Sequence, residues 1–156
     1  IILQLIPNNP EVCIDNYTGY EVKLYLNNEH WINVPNSLDL TENSLENKFY
    51  DLDPGTYLVT IKNNNGDFLQ KLNVEVEKDK YYILNVLNQV TYEDGQIAYG
   101  KYGFSSSNKH QKSFFNTCDI YHFTDPPKTV RKPGGKSADT RLYIKRISFN
   151  NSEIWR

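Results

Sequence analysis

Apolar and polar residues alternate along this chain in many short segments, which Gly, Pro, Asn and Asp separate from one another. Alternation with a period of two residues is typical of half-buried β-strands, and no long stretch shows the period of an amphipathic helix. Residues 37–47 fit either a helical turn or an irregular crossing. Strands are predicted at residues 11–15, 21–26, 30–34, 48–52, 56–62, 68–77, 81–87, 97–104, 113–123 and 140–149.

The clearest local pattern covers residues 55–87, where loops at 63–66 and 77–80 join three alternating segments. Asn65-Gly66 is a preferred pair for a type I′ turn because both residues tolerate positive φ, so the three segments are predicted to form an antiparallel meander. One face of its second strand is predicted to pack in the core and the other to face solvent. The predicted core side chains are Phe68, Leu72, Val74 and Val76, and the predicted solvent-facing ones are Lys71, Asn73, Glu75 and Glu77.

Residues 49–61 read FYDLDPGTYLVTI, and this segment resembles a signature of transthyretin-like β-sandwich modules, including carboxypeptidase regulatory-like, collagen-adhesin B-type and PEGA modules. In these families a Leu, small residue, Pro, Gly, Thr, Tyr turn joins two strands, and a Gly-containing hairpin and a valine-rich strand follow. Residues 64–76 fit that continuation, and the resemblance covers about residues 20–87. It implies a β-sandwich that serves as a stalk, spacer, adaptor or assembly subunit.

Composition agrees with a folded β-protein. Aromatic residues make up 13% of the chain, which is too many large apolar groups for a disordered segment, and the recurring Tyr, Val, Ile and Thr favour strands. The predicted fold class is all-β. We expect an antiparallel β-sandwich of transthyretin- or immunoglobulin-like type with a basic, loop-rich C-terminal extension.

Charge is divided unequally along the chain. Residues 1–95 contain 6 basic and 15 acidic side chains, a formal charge of −9, whereas residues 96–156 contain 11 basic and 4 acidic ones, a charge of +7. We therefore predict an acidic sandwich core at 1–95 and a basic third at 96–156 that adds strands and a projecting loop to one compact domain. Such asymmetry indicates electrostatic association with the chain's own acidic part, with a protein partner or second copy, or with an anionic polymer.

Residues 125–136 contain three prolines, two glycines and four cations, so they fit neither a helix nor a central strand. They are predicted to form an exposed loop, which is the best candidate for an arm that packs on a partner. Trp31 is predicted to be core, and Trp155 either a plug on the sandwich or an interface residue. The predicted partner-binding residues are Lys128, Arg131, Lys132, Lys136, Arg141, Lys145, Arg146 and Trp155.

Motifs for catalysis, phosphate binding or calcium binding are missing from the sequence, and no cofactor is predicted. The one cluster to weigh is His110, Cys118 and His122, with Asp119 and Asp125 nearby. The even spacing of Cys118 and His122 would place them on one face of a strand, but the usual paired spacing of zinc ligands is missing. We predict neither a catalytic nor a metal site.

Cys13 and Cys118 fit either one long-range disulfide or two small buried residues. Asn16-Tyr17-Thr18 matches the glycosylation sequon, but a chain this rich in Asn contains such matches by chance. No apolar stretch approaches the eighteen or so residues of a spanning helix. A cleaved signal would explain a chain without Met, and we expect an extracytoplasmic location: periplasmic, secreted or cell surface.

The function expected from these features is structural, not enzymatic. The chain is predicted to be an adaptor or a subunit of a larger extracytoplasmic or surface assembly, held by complementary charge to a protein partner or to further copies. One alternative is a glycan-binding sandwich, because Tyr and Trp offer stacking surfaces. A second alternative is an intracellular subunit of a large complex that contacts nucleic acid. Nucleic acid is disfavoured because aromatics among the basic residues alternate as strand residues do.

Overall fold

The computed structural model describes residues 9–36, 49–98, 105–117 and 140–149. These residues form β-strands, with one 3-10 turn at Val86–Asn88 and no α-helix among them. The predicted all-β class is thereby confirmed. The strands are β1 (Glu11–Asp15), β2 (Val22–Leu26), β3 (Glu29–Val34), β4 (Phe49–Asp51), β5 (Gly55–Lys62), β6 (Phe68–Val76), β7 (Tyr81–Asn85), β8 (Val90–Ala98), β9 (Ser105–His110), β10 (Phe114–Thr117) and β11 (Thr140–Phe149).

The described strands form three sheets. The front sheet has the order β3-β2-β5-β6, the central sheet β10-β7-β1-β4, and the back sheet β11-β8-β9. All neighbouring strands are antiparallel except β1 and β7, which run parallel in the middle of the central sheet. The sheets thus stack as layers rich in antiparallel pairs.

The front and central sheets enclose the main core, which confirms the predicted sandwich. Its buried side chains include Ile14 of β1, Leu24 of β2, Ile61 of β5 and Leu84 of β7. Trp31, predicted to be core, is half-buried and packs against this cluster. Burial of these side chains stabilises the fold by roughly 1.5–3 kcal/mol for each large aliphatic group.

A second core lies on the other face of the central sheet. Cys13 of β1 and Ile83 of β7 pack there with Tyr92 of β8 and Ile144 of β11. Strands β1 and β7 are therefore buried on both faces, which is why each has three successive buried positions that are apolar or aromatic, as is typical of central strands that are covered on both sides.

The predicted β5–β6 hairpin is confirmed, but its turn is not type I′. The N–H of Gly66 donates to the carbonyl oxygen of Asn63 at 3.1 Å, and only Gly66 in this loop has positive φ, at 83°. The loop is a type I turn followed by a left-handed glycine, because the Asn63 side-chain oxygen accepts from the N–H groups of Asn65 and Asp67. Two successive positive φ values occur instead in the β2–β3 hairpin, at Asn27 and Asn28.

The predicted three-strand meander is wrong at its third strand. Strand β7 leaves the front sheet and pairs with β1 and β10 in the central sheet. The physical reason is its run of apolar side chains from Tyr82 to Leu84, which needs cover on both faces. Along β6 the predicted alternation holds at Val74 and Val76, but Phe68 is 59% exposed, because a register shift opposite Lys62 interrupts the alternation.

Two more strand predictions need correction. Strand β8 begins at Val90, where the sequence predicted a strand only from residue 97, and β9 was not predicted. Both carry many polar and charged residues, which obscure the alternation. Strand β11 has the predicted bounds, and β10 begins one residue after the predicted start. The boundary between the acidic and basic regions falls inside β8. Residues 37–47 lie outside the described residues.

Candidate functional site

The predicted partner-binding residues lie partly outside the described residues. Three of them are described. Arg141 and Lys145 are on β11, where the backbone register places them opposite Ile97 and Glu93 of β8. The last, Arg146, lies inside the molecule. Those outside the described residues are Lys128, Arg131, Lys132, Lys136 and Trp155.

Arg146 is bound within the chain. Its side chain is 5% exposed, and its guanidinium holds the carboxylate of Asp15 through two bonds, from Nε at 2.9 Å and from Nη2 at 2.7 Å. Asp15 is on β1 and is 0% exposed. At this position the basic third lies against the acidic part of its own chain, which is one of the alternatives that the charge pattern left open.

Two tyrosines complete this buried cluster. The Tyr92 hydroxyl donates to Asp15 at 2.7 Å, and Arg146 Nη1 donates to the Tyr17 hydroxyl at 2.7 Å. Burial raises the pKa of Tyr92 well above 10, and the charge of Asp15 and the hydrogen bond to it add to the rise. Burial likewise raises the pKa of Tyr17. Both Asp15 oxygens are hydrogen-bonded and hidden from solvent, so the cluster binds β11 and β8 to β1 and offers no accessible base or metal ligand.

The histidine of the possible metal cluster packs among aromatic rings. The His110 ring lies 4.7 Å from that of Phe115 and 5.8 Å from that of Tyr92, and its Nε2 is 3.3 Å from an oxygen of Asp94. Within the described ranges no group of three or more His, Cys, Asp or Glu side chains could hold a metal ion. The other residues of the possible metal cluster, namely Cys118, His122, Asp119 and Asp125, lie outside the described residues. The possible disulfide between Cys13 and Cys118 falls outside them for the same reason.

The sequon residue Asn16 is fully buried. Its side-chain amide donates to the carbonyl oxygens of Tyr20, Val34 and Pro35, and its side-chain oxygen accepts from Thr18. This amide holds the β1–β2 loop against the end of β3. A glycan on Asn16 is therefore incompatible with the folded chain.

Part of the outer face of the front sheet carries three lysines and forms a surface that we call the lysine face, made of Lys23, Tyr25, His30, Lys62 and Lys71; Glu75 lies further along the same face, opposite Thr56. Alternation places Lys23, Tyr25 and Lys62 on the face opposite the core residues Leu24 and Ile61 of β2 and β5, and register places His30 and Lys71 beside them. The Lys62 ammonium lies 4.8 Å from the centre of the Tyr25 ring, and the His30 ring packs edge-on against that ring at 5.5 Å.

Lys23 and Lys62 are directly opposite each other on β2 and β5. Like charges at such a position repel and destabilise a sheet. No ion pair neutralises either of them among the described residues. Thr60 occupies the same face, in register between Tyr25 and Lys71, and its buried hydroxyl has no hydrogen-bond partner.

A second like-charge pair lies at the opposite end of the sandwich. Glu11 of β1 faces Asp51 of β4, and Asp53 follows in the loop to β5; we call these three residues the acidic end. Burial raises the pKa of Glu11, and the charge of Asp51 and a hydrogen bond to it raise this pKa further. Asp51 and Asp53 are exposed.

The two like-charge pairs are far apart along the strand direction. Strand β5 begins at Gly55, two residues after Asp53, and ends at Lys62. An eight-residue strand spans roughly 24 Å, so the acidic end and the Lys23–Lys62 pair lie at opposite ends of β5. The described part of the acidic region thus carries the Glu11–Asp51 pair at one end and the Lys23–Lys62 pair at the other.

Exposed aromatic rings do not form a shared stacking surface in the described part of the chain. The large exposed apolar side chains are Tyr20, Phe68 and Tyr81, and no two of these three rings pack together. Tyr81 packs instead against Phe49. A sugar-binding groove needs neighbouring rings, so these three give the glycan alternative no support.

Comparison with protein-family models, with curated proteins and with solved structures found no match for this chain. The resemblance of residues 20–87 to transthyretin-like modules therefore stays a prediction. In the described ranges there is no helix of sufficient length and hydropathy to cross a membrane.

Sequence reasoning missed the lysine face because it counted charge by region. Lys23 and Lys62 fall within a region of net charge −9, and the sum hides their proximity. A usable signal was present, since Lys23 and Tyr25 alternate with the apolar Val22 and Leu24. The opposition of Lys23 and Lys62 depends on strand register, which alternation by itself does not provide.

Proposed function

We propose that this chain is a non-enzymatic structural protein, a subunit of a larger assembly that forms through complementary charge. The observation that carries the proposal is the pair of directly opposed lysines on the lysine face, which no ion pair neutralises within the part of the chain that the structure describes. Such a pair costs the isolated subunit stability, and an acidic partner that covers it would offset that cost. The acidic end supplies the opposite charge on the same chain.

The resemblance to transthyretin-like modules supports an assembly role at the cell surface, in the periplasm or outside the cell. The closed Asp15–Arg146 cluster is consistent with a role that needs no catalysis, because its buried charges are used to join strands.

Light scattering after gel filtration tests the proposal. The purified chain should form oligomers at about 20 mM salt and dissociate near 0.5 M, where the Debye length falls to roughly 4 Å. A chain that is monomeric at both salt concentrations would contradict assembly by complementary charge. Oligomers that persist unchanged at 0.5 M would show that apolar contacts hold them instead.

A further inference from the structure

We infer that the lysine face binds the acidic end of a second copy of this chain. The inference rests on the proposed function and specifies the two surfaces that meet. Lys23, Lys62 and Lys71 would face Glu11, Asp51 and Asp53 of the next copy.

Charge complementarity is the first support. Each surface contains a like-charge pair in direct cross-strand register, Lys23 with Lys62 and Glu11 with Asp51. When the two surfaces meet, each lysine gains a carboxylate neighbour, and the attraction offsets the repulsion within each pair. The attraction between lysine and carboxylate is stronger where water is excluded.

The unsatisfied hydroxyl of Thr60 is the second support. Thr60 is 6% exposed, and its oxygen has no hydrogen-bond partner although it lies within the lysine face. Native structures rarely leave a buried polar group unpaired. A carboxylate of the second copy that reaches Thr60 beside Lys71 would provide an acceptor.

Geometry then limits the kind of assembly. The two surfaces are different and lie at opposite ends of β5, so each copy can exchange both contacts reciprocally with one partner in a two-fold dimer, or pass them on from copy to copy. Contacts passed on in this way produce either closed rings or open filaments. A dimer in which one surface meets itself is not expected, since each surface repels its own kind.

Complementation between charge-reversed variants tests the inference. Lys23→Glu/Lys62→Glu makes both surfaces acidic, and Asp51→Lys/Asp53→Lys makes the second surface basic. Each variant alone should be monomeric at low salt, with association weakened roughly 100-fold or more. An equimolar mixture should associate again, because each variant retains the surface that the other lacks.

The control is Lys112→Glu, which reverses one exposed lysine outside both surfaces and makes half the change in net charge. It should assemble as the unchanged chain does. Circular dichroism should show β-structure for every variant. Thr60→Val is an independent probe that keeps all charges, and it should weaken assembly several-fold without unfolding the chain.

The outcomes separate the inference from the proposed function. If the unchanged chain forms salt-sensitive oligomers and both reversed variants do too, these surfaces are not the contact and only the inference falls. If Lys23→Glu/Lys62→Glu is monomeric but Asp51→Lys/Asp53→Lys still assembles, the occupant of the lysine face is another acidic surface, and the inference is wrong. If the unchanged chain never assembles but binds a 20-nucleotide DNA through the lysine face, both proposals fail.

Discussion

The guanidinium of Arg146 binds both carboxylate oxygens of Asp15, although 131 residues separate the two in the sequence. The pair is buried and joins the last described strand, β11, to the first, β1. A buried ion pair of this kind contributes little net stability, yet loss of one partner leaves the other charge uncompensated. Tyr92 and Tyr17 add hydrogen bonds to the same pair.

Replacement of Arg146 should therefore be strongly destabilising. We expect Arg146→Met to lower the free energy of unfolding by about 3–5 kcal/mol, because the Asp15 carboxylate remains buried without its cation. Urea denaturation measures the loss. The double variant Asp15→Asn/Arg146→Met should recover part of it, and Lys112→Met, which removes an exposed cation, should stay within about 0.5 kcal/mol of the unchanged chain. A loss below 1 kcal/mol for Arg146→Met would refute this account.

Tyr92 should make the fold sensitive to alkali. Its folded pKa lies well above the value of 10.0 for an unperturbed tyrosine, so above pH 10 the unfolded chain loses this proton before the folded chain does. Stability that is fully present below pH 10 should therefore decline as the pH rises toward the folded pKa.

The variant that checks this effect is Tyr92→Phe. It should cost about 1–3 kcal/mol at pH 7, because the buried Asp15 Oδ2 loses the Tyr92 donor and keeps only that of Arg146 Nε. Unfolding measured from pH 7 to 11 should then show a shallower decline than in the unchanged chain. Equal slopes above pH 10 for both proteins would show that Tyr92 is not responsible.

Thr60→Val should stabilise the isolated chain. The substitution replaces a buried hydroxyl that lacks a partner by a methyl group of similar size, so we expect a gain of about 1 kcal/mol in the free energy of unfolding. Thr56→Val, on the same strand but exposed, is the control and should change stability by less than about 0.5 kcal/mol. Destabilisation by Thr60→Val would mean that the hydroxyl has an acceptor. Measurement at 0.5 M salt keeps the chain monomeric.

Gly66 should be intolerant of a side chain for reasons of backbone conformation alone. Its φ is 83°, and a Cβ added there would meet no atom within 4 Å. Gly66→Ala should therefore cost about 1 kcal/mol without a clash, and Gly66→Asn should cost less because Asn tolerates the left-handed region. Thermal unfolding of the two variants side by side checks the order. Equal losses would point to an effect other than φ.

Strand identity followed from the sequence by itself. Alternation at residues 11–15 and 140–149 predicted β1 and β11 with the observed bounds, because one side of each strand must avoid water. The all-β class and the β5–β6 hairpin came from the same local physics. The Asn-rich loop at 63–66 showed that the chain reverses there, but it did not show the type of turn. The hydrogen bonds of the Asn63 side chain decide that type.

Only the tertiary structure decided how the strands are partnered. The parallel pairing of β1 with β7, the burial of both faces of the central sheet and the pairing of Arg146 with Asp15 all join residues far apart in sequence. The same holds for the opposition of Lys23 and Lys62, which turns two ordinary surface lysines into the best candidate contact. Local alternation shows which side chains of a strand face the core and which face solvent. Strand register and sheet order depend instead on the packing of the whole chain.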